Sequence, residues 1–159
     1  MRKPVPLDNT LLSNLAVVGQ ADLVLELWSD RVLTTPEVIG ECEAAAQAGT
    51  LPPDAYAKLS VVALTAQERA MSETFSTRLG RGEPSWPAVA RSRGALFATD
   101  DADARAAARR LDVPITGTLG ILGLAVRLGL LTLTQANALL ADMVRAGYRS
   151  PLGQVDDPI

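Results

Sequence analysis

The sequence predicts a three-layer α/β/α sandwich with a mainly parallel central sheet. Short apolar segments alternate with helical patterns along the chain, and this alternation favours parallel strands covered by helices on both faces. The length of 159 residues and the hydrophobic content of 48% suit a single core. We therefore predict one domain over residues 1–150 and a loose C-terminal tail over residues 151–159.

Five segments have the apolar or β-branched character of short buried strands. They span residues 5–7, 31–33, 59–64, 95–98 and 113–115. Apolar residues at helical spacing predict helices before and after these strands. The predicted helices span residues 10–18, 21–28, 36–48, 54–58, 66–79, 84–93, 104–111, 118–128 and 134–146.

Capping residues support the predicted helix ends. Thr35 followed by Pro36 is typical of a helix start, and Gly49 is expected to end that helix. Thr65 and Glu68 have the spacing of a capping box, in which each side chain accepts a hydrogen bond from the other's backbone. Glycines at positions 80, 82 and 94 are expected to end the next two helices, and Thr134 is expected to begin the last one.

The composition restricts the chemistry available to the chain. It has no histidine, which removes the commonest general base and every Ser/His or Cys/His nucleophilic arrangement. A tetrahedral zinc site is close to excluded, whereas clustered carboxylates suit Mg²⁺ or Mn²⁺. The single cysteine, Cys42, lies among alanines in a helical pattern, so we expect a buried, inert thiol.

Charge and hydropathy indicate the environment and the partners. No apolar stretch reaches the roughly 18 to 20 residues of a membrane span, so we expect a cytoplasmic protein without membrane contacts. The net charge of −3 argues against a generally basic surface, so any contact with nucleic acid must come from local patches. Arginines between residues 91 and 110 could form such a patch, although a solvated helix face explains each arginine, taken alone, somewhat better.

Two acidic residues directly follow predicted strands. Asp8 follows the first strand, and Asp101 lies just after the strand at residues 95–98. Ligands of open α/β sheets gather at the carboxyl ends of the strands. We therefore expect these two side chains to point into one crevice.

Several motifs resemble those of PIN domains. They are Leu7-Asp8-Asn9-Thr10 with Leu15, Pro36-x-Val38-x-x-Glu41, Gly82-Glu83, Thr99-x-Asp101-x-Asp103, and the segment Val113-Pro114-Ile115-Thr116-Gly117-Thr118-Leu119-Gly120. The last segment is similar to one in an uncharacterised, toxin-like branch of VapC-like PIN proteins. Each motif alone is weak, but their order and spacing together cover nearly the whole chain.

The resemblance implies a ribonuclease in which acids bind one or two Mg²⁺ or Mn²⁺ ions. The implied catalytic residues are Asp8, Glu41, Glu83 and Asp101, with Asp103 as a further metal ligand and Asp100 or Asp103 as substitutes for Asp101. Expected substrate contacts are Arg91, Arg93, Arg105 and Thr118. The resemblance also implies an RNA substrate, a homodimer and, for a toxin of a toxin–antitoxin pair, a small antitoxin protein.

A structural explanation of the same acids stays open. Asp8 could be only the N-cap of the first helix, and Asp100 or Asp101 could be the cap of the helix predicted at residues 104–111. Glu41 and Glu83 could be solvated surface acids. The corresponding function is an inactive PIN-like module that binds RNA or a partner protein without cleaving it. A phosphate-binding Gly-x-x-x-x-Gly-Lys loop is absent from the sequence, which argues against nucleotide binding.

Overall fold

The chain folds as a mixed α/β domain, as predicted. A computed structural model describes residues 3–78 and 86–156, without the side chains of residues 75–78. Its strands are β1 (Val5–Pro6), β2 (Val32–Thr34), β3 (Ser60–Val61), β4 (Phe97–Ala98) and β5 (Ile115–Thr116). Its helices are α1 (Asn9–Ala16), α2 (Leu23–Trp28), α3 (Pro36–Gln47), α4 (Ala66–Arg78), α5 (Trp86–Ser92), α6 (Ala102–Arg110), α7 (Thr118–Arg127) and α8 (Leu133–Arg145). Within these ranges, no helix has both the length and the apolarity needed to cross a bilayer.

All described strand pairs are parallel, which confirms the predicted sheet type. β1 pairs with β2, β2 pairs with β3, and β4 pairs with β5. A parallel bridge between Leu7 and Ala98 joins the two groups beside β1, so the spatial order is β3-β2-β1-β4-β5. The chain winds outward from β1 to β3 and then returns to the other side of β1. The gap between the ends of β1 and β4 is therefore the point where the winding reverses, which is where such sheets bind ligands.

Two buried clusters hold the helices to the sheet. The larger cluster includes the leucines of α1, together with Ile121 and Leu122 of α7. The smaller one surrounds Phe97 of β4 with alanines from α5 and α6. The chain winds in opposite directions on the two sides of β1, and right-handed crossovers then place the connecting helices on opposite faces of the sheet. A three-layer arrangement therefore has a separate buried cluster on each face.

The predicted caps of α3 and α4 are confirmed. The Thr35 hydroxyl accepts a hydrogen bond from the Val38 N–H at 3.4 Å. The Thr65 hydroxyl accepts from the Glu68 N–H at 3.1 Å, and the Glu68 carboxylate accepts from the Thr65 N–H at 2.9 Å. Gly49 follows α3 with a φ of +74°, a left-handed conformation that glycine adopts without steric cost.

Two local predictions were wrong. Residues 54–58 form turns instead of a helix, because a five-residue segment gains too few hydrogen bonds to offset helix nucleation. The last helix begins at Leu133, and its N-cap is Thr132 instead of Thr134. The Thr132 hydroxyl accepts from the Gln135 N–H at 3.1 Å, and the Gln135 amide oxygen accepts from the Thr132 N–H at 2.8 Å. This Thr-x-x-Gln spacing is a capping box that the sequence analysis missed.

One residue of the expected loose tail packs against the domain, whereas residues 151–154 are exposed. Val155 is only 6% exposed and belongs to the larger cluster. Its N–H donates to the Asn137 amide oxygen at 2.6 Å, and the Asn137 amide donates to the Val155 carbonyl at 3.2 Å. The predicted helix start at 84–85 and the glycines at 80 and 82 lie outside the described residues.

Candidate active site

The candidate site lies between the carboxyl ends of β1 and β4. Asp8 follows β1, and Thr99, Asp100 and Asp101 follow β4. The Asp8 N–H donates to the Ala98 carbonyl at 3.3 Å, so the two strand ends are direct neighbours. The sheet thus brings together residues that are more than ninety positions apart in the sequence.

Asp8 has two roles at once. Its Oδ1 accepts from the Leu11 N–H at 3.1 Å and from the Thr10 hydroxyl at 2.8 Å, which makes Asp8 the N-cap of α1. Its Oδ2 accepts from the Thr99 hydroxyl. Burial raises the pKa of Asp8 to about 6, and the charge of Asp100 acts in the same direction. The N-cap explanation is therefore correct for one oxygen, while the other faces β4 in a partly buried site where negative charge is unfavourable.

Asp100 is the acid that accompanies Asp8 in this crevice. Its Oδ2 accepts from the Asn14 amide at 2.8 Å and from the Thr118 hydroxyl at 2.5 Å. Its Oδ1 accepts from the Thr118 N–H at 2.9 Å and from the Tyr148 hydroxyl at 3.4 Å. Donors from α1, from the start of α7 and from the segment after α8 therefore hold one carboxylate in place.

Asp101 is the N-cap of α6. Its Oδ1 accepts from the Ala104 N–H at 2.7 Å, and its own N–H donates to the Thr99 hydroxyl at 3.0 Å. Asp103 lies in the first turn of α6 and is exposed. The structure therefore brings Asp100, the alternative left open by the sequence, next to Asp8, and it gives Asp101 a capping role. A metal-binding role for Asp101 or Asp103 stays a prediction.

Arg105 places a positive charge close to Asp100. Its Nη1 donates to the Thr99 carbonyl at 3.0 Å. A Cβ atom added to Gly117 would lie 2.6 Å from the Asp100 Oδ1 and 2.8 Å from the Arg105 Nη1. Only glycine leaves room for both groups at this point without a rearrangement, so Gly117 is part of the site's shape.

Of the two predicted glutamates, the structure describes only Glu41. Glu41 is exposed on α3, one residue before Cys42, whose thiol contacts the Asn9 amide oxygen at 3.6 Å. Glu41 thus lies on the helix that approaches the site, and its role as a metal ligand stays a prediction. Glu83 lies outside the described residues. Cys42 is buried as predicted, and burial, with the charges of neighbouring glutamates, raises the pKa of its thiol to about 11.

Arg93 forms an ion pair with Glu68, and its predicted contact with substrate stays a prediction. Its Nε and Nη2 donate to the two Glu68 carboxylate oxygens at 2.6 and 2.9 Å. The hydrogen bonds from Arg93 hold the pKa of Glu68 down at about 2, and the pair joins α4 to the residue that follows α5. Arg91 lines a cavity of about 340 Å³ between α4, α5 and Leu111, where substrate binding stays a prediction. Thr118 is at a helix start as predicted, and it binds Asp100.

Two residues of the site lie outside every motif that the sequence analysis identified. Asn14 is a half-buried amide among the buried leucines of α1, and this local exception to the apolar pattern could have marked it. Tyr148 lies 48 positions from Asp100, so no local pattern could have revealed the contact. Burial, aided by the Asp100 charge, raises the pKa of Tyr148 to about 12, so its hydroxyl remains a hydrogen-bond donor.

The donor set fits a hard divalent cation. Asp8 and Asp100 offer carboxylate oxygens, and Thr99 and Thr118 offer hydroxyls. Mg²⁺ is usually bound by one or two carboxylates, with water and substrate phosphate completing its octahedron. Within residues 3–78 and 86–156, no three acidic or sulfur side chains form a cluster able to hold a metal ion. The described site therefore offers two carboxylates, a number with which Mg²⁺ sites are commonly built.

A comparison with known proteins identifies the family of the chain. The model of a family described as PIN domain matches residues 5–156, and proteins of this family are generally metal-dependent nucleases. No curated protein and no solved structure matches the chain. The match extends over nearly the whole sequence and includes every described residue of the candidate site, so the chain belongs to the PIN domain family.

Proposed function

We propose that the chain is a ribonuclease that hydrolyses RNA phosphodiesters with Mg²⁺ or Mn²⁺ bound between Asp8 and Asp100. One observation carries the proposal: two carboxylates meet at the reversal point of the sheet, and both burial and mutual repulsion disfavour the charge on Asp8. A bound cation would remove this penalty. RNA as the substrate rests on the resemblance to toxin-like PIN domains.

The residues of this chain have separate roles in the proposed reaction. Asp8 and Asp100 hold the cation, and Thr118 with Asn14 orients Asp100. The Arg105 guanidinium, fixed by the Thr99 carbonyl, is suited to a phosphate oxygen because its planar fork matches phosphate geometry. When bound, a divalent cation activates water as the nucleophile and neutralises charge on the phosphate. This chemistry needs neither a histidine nor a covalent nucleophile.

The raised pKa of Asp8 makes cation binding dependent on pH. Below pH 6 the Asp8 carboxyl of the cation-free protein is mostly protonated, and a proton competes with a metal ion for the same oxygens. We expect the apparent affinity for Mn²⁺ and the cleavage rate to fall as the pH decreases through about 6. A titration of Mn²⁺ binding across this range, in a non-coordinating buffer, measures the effect.

The proposal is tested with single-stranded RNA and with DNA of the same sequence. We expect cleavage of RNA that requires Mg²⁺ or Mn²⁺ and is abolished by EDTA. Asp8→Asn and Asp100→Asn should remove it, because each substitution deletes a ligand charge with little change in volume. Asp101→Asn should retain more activity than Asp100→Asn, because asparagine caps a helix as well as aspartate does. Absence of cleavage, with no rise of the melting temperature in Mn²⁺, would contradict the proposal.

A second candidate is a PIN-like module that binds RNA or a partner protein without cleavage. It is favoured by the capping roles of Asp8 and Asp101 and by the lack of a three-acid cluster among the described residues. For this function we expect RNA binding, measured by fluorescence anisotropy, that is unchanged by EDTA or by Asp8→Asn. If the chain is a nuclease, EDTA and Asp8→Asn should each lower the rate of RNA cleavage.

We also propose that the nuclease is the toxin of a toxin–antitoxin pair, since the segment from Val113 to Gly120 resembles that branch. A small antitoxin protein would then block the crevice at Asp8 and Asp100, and the toxin itself would be a homodimer. Expression of the chain should arrest growth, and Asp8→Asn should relieve the arrest. Sedimentation equilibrium of the purified protein measures its oligomeric state.

A further inference from the structure

The segment from Tyr148 to Val155, here called the C-terminal strap, connects the candidate site with the middle of α7. At its beginning, the Tyr148 N–H donates to the Met143 carbonyl at 2.9 Å, and the Tyr148 hydroxyl donates to the Asp100 Oδ1 at 3.4 Å. At its end, Val155 is buried and exchanges two hydrogen bonds with Asn137 of α8. The strap is thus attached to the domain at both ends.

The strap crosses α7 at a glycine. A Cβ atom added to Gly123 would lie 4.0 Å from the Val155 Cγ1, which places the end of the strap directly over the middle of this helix. The first residue of the same helix, Thr118, donates two hydrogen bonds to Asp100. The helix and the strap that covers it therefore both supply donors to one carboxylate of the site.

We propose that Tyr148 is a positioning residue, held by the C-terminal strap so that its hydroxyl orients the Asp100 carboxylate for cation binding. The inference rests on the proposed nuclease function. Asp100 has donors on both of its oxygens, and Tyr148 shares Oδ1 with the Thr118 N–H. Hydrogen bonds of this kind fix the orientation of a ligand, and their loss typically weakens metal binding by about 10- to 100-fold.

The test compares Tyr148→Phe with Tyr56→Phe. The first substitution removes only the hydroxyl at the site, and the second removes the hydroxyl of the other tyrosine, which lies in the turns before β3. Free Mn²⁺ is measured by electron paramagnetic resonance during a titration of the purified full chain. We expect the Mn²⁺ dissociation constant to rise about tenfold in Tyr148→Phe and to stay at the wild-type value in Tyr56→Phe. Cleavage by Tyr148→Phe should recover at saturating Mn²⁺.

A second variant tests the role of the strap. Asn137→Ala removes both hydrogen bonds to Val155 without touching the site, and alanine is favourable inside a helix. We expect faster trypsin cleavage after Arg149 and a several-fold weaker affinity for Mn²⁺, again with recovery at saturating metal.

The outcomes separate this inference from the proposed function. If wild type binds no Mn²⁺, both are wrong. If wild type binds Mn²⁺ and Tyr148→Phe binds it equally well, only the inference is wrong. A lower melting temperature of Tyr148→Phe with an unchanged dissociation constant would show a structural role for the hydroxyl and would likewise overturn the inference.

Discussion

Replacing Asp8 with asparagine should stabilise the metal-free protein while it removes activity. Asparagine is as good an N-cap as aspartate, so its amide oxygen can keep the hydrogen bonds from Leu11 and Thr10. The amide nitrogen would take the place of Oδ2, and the Thr99 hydroxyl can rotate to accept from it. The substitution therefore removes a charge and keeps the local hydrogen bonds.

The magnitude follows from the pKa of Asp8. Raising this carboxyl from its ordinary value of 3.8 to about 6 disfavours the folded state by about 3 kcal/mol at neutral pH. Because Asp8 is only partly buried by side-chain exposure, water screens some of this penalty. We expect Asp8→Asn to increase the free energy of unfolding by about 1 to 2 kcal/mol.

The dependence on pH identifies the cause. The folded state binds the Asp8 proton more tightly than the unfolded chain does. Protonated Asp8 therefore contributes its full stabilisation to wild type below pH 3.8, and this contribution is lost as the pH rises through about 6. Urea denaturation in EDTA should therefore show a gain for Asp8→Asn at neutral pH that nearly vanishes at about pH 4. Excess Mn²⁺ should reverse the order by stabilising wild type alone. A variant that is less stable than wild type at neutral pH in EDTA would refute the reasoning.

Three further substitutions test the fold and the site. Glu68→Gln should lower the free energy of unfolding by about 2 kcal/mol at neutral pH. Protonation of Glu68 in wild type removes its ion pair with Arg93, so the difference between the two proteins, measured by urea denaturation, should disappear as the pH falls from 4.5 to about 2. Gly117→Ala should reduce Mn²⁺-dependent cleavage about tenfold or more, because the added Cβ would displace the Asp100 carboxylate and the Arg105 guanidinium. Gly123→Ala is the control: its Cβ would make only an ordinary contact at 4.0 Å, and the variant should keep at least half of the activity. Thr132→Ala should lower the melting temperature through the loss of about 1 kcal/mol of capping energy, whereas Thr134→Ala should leave it nearly unchanged.

Local sequence patterns predicted most of the fold. The segments at residues 5–7, 95–98 and 113–115 each contain or overlap an observed strand, because short apolar runs between turn residues are typical of parallel strands. Thr35 and Thr65 begin their helices as expected, since a cap depends only on neighbouring residues. The last helix shows the limit of this approach. Thr132 and Thr134 both precede the apolar helical pattern, and only the capping box with Gln135 identifies Thr132 as the N-cap.

The site was predicted to the level of a segment and not of a single side chain. The sequence placed acids after β1 and β4, which requires only the strand ends and the parallel topology. It could not decide between Asp100 and Asp101, because adjacent residues point in different directions and a shift of one position exchanges them. The contacts of Asp100 with Asn14 and Tyr148 depend on tertiary packing across long separations. These contacts follow from the fold and cannot be read from a local pattern.

Two N-caps in this domain show why Asp8 has more than a capping role. Asp8 and Asp101 both accept a backbone hydrogen bond at the start of a helix, and an uncharged asparagine would accept it equally well. At position 8, however, the negative charge is opposed by burial and by Asp100, so folding alone favours the amide. We therefore expect a carboxylate there to weaken the metal-free fold, and the proposed cation would offset this cost. The energetic penalty at Asp8 is therefore the strongest physical reason to look for a metal ion between β1 and β4.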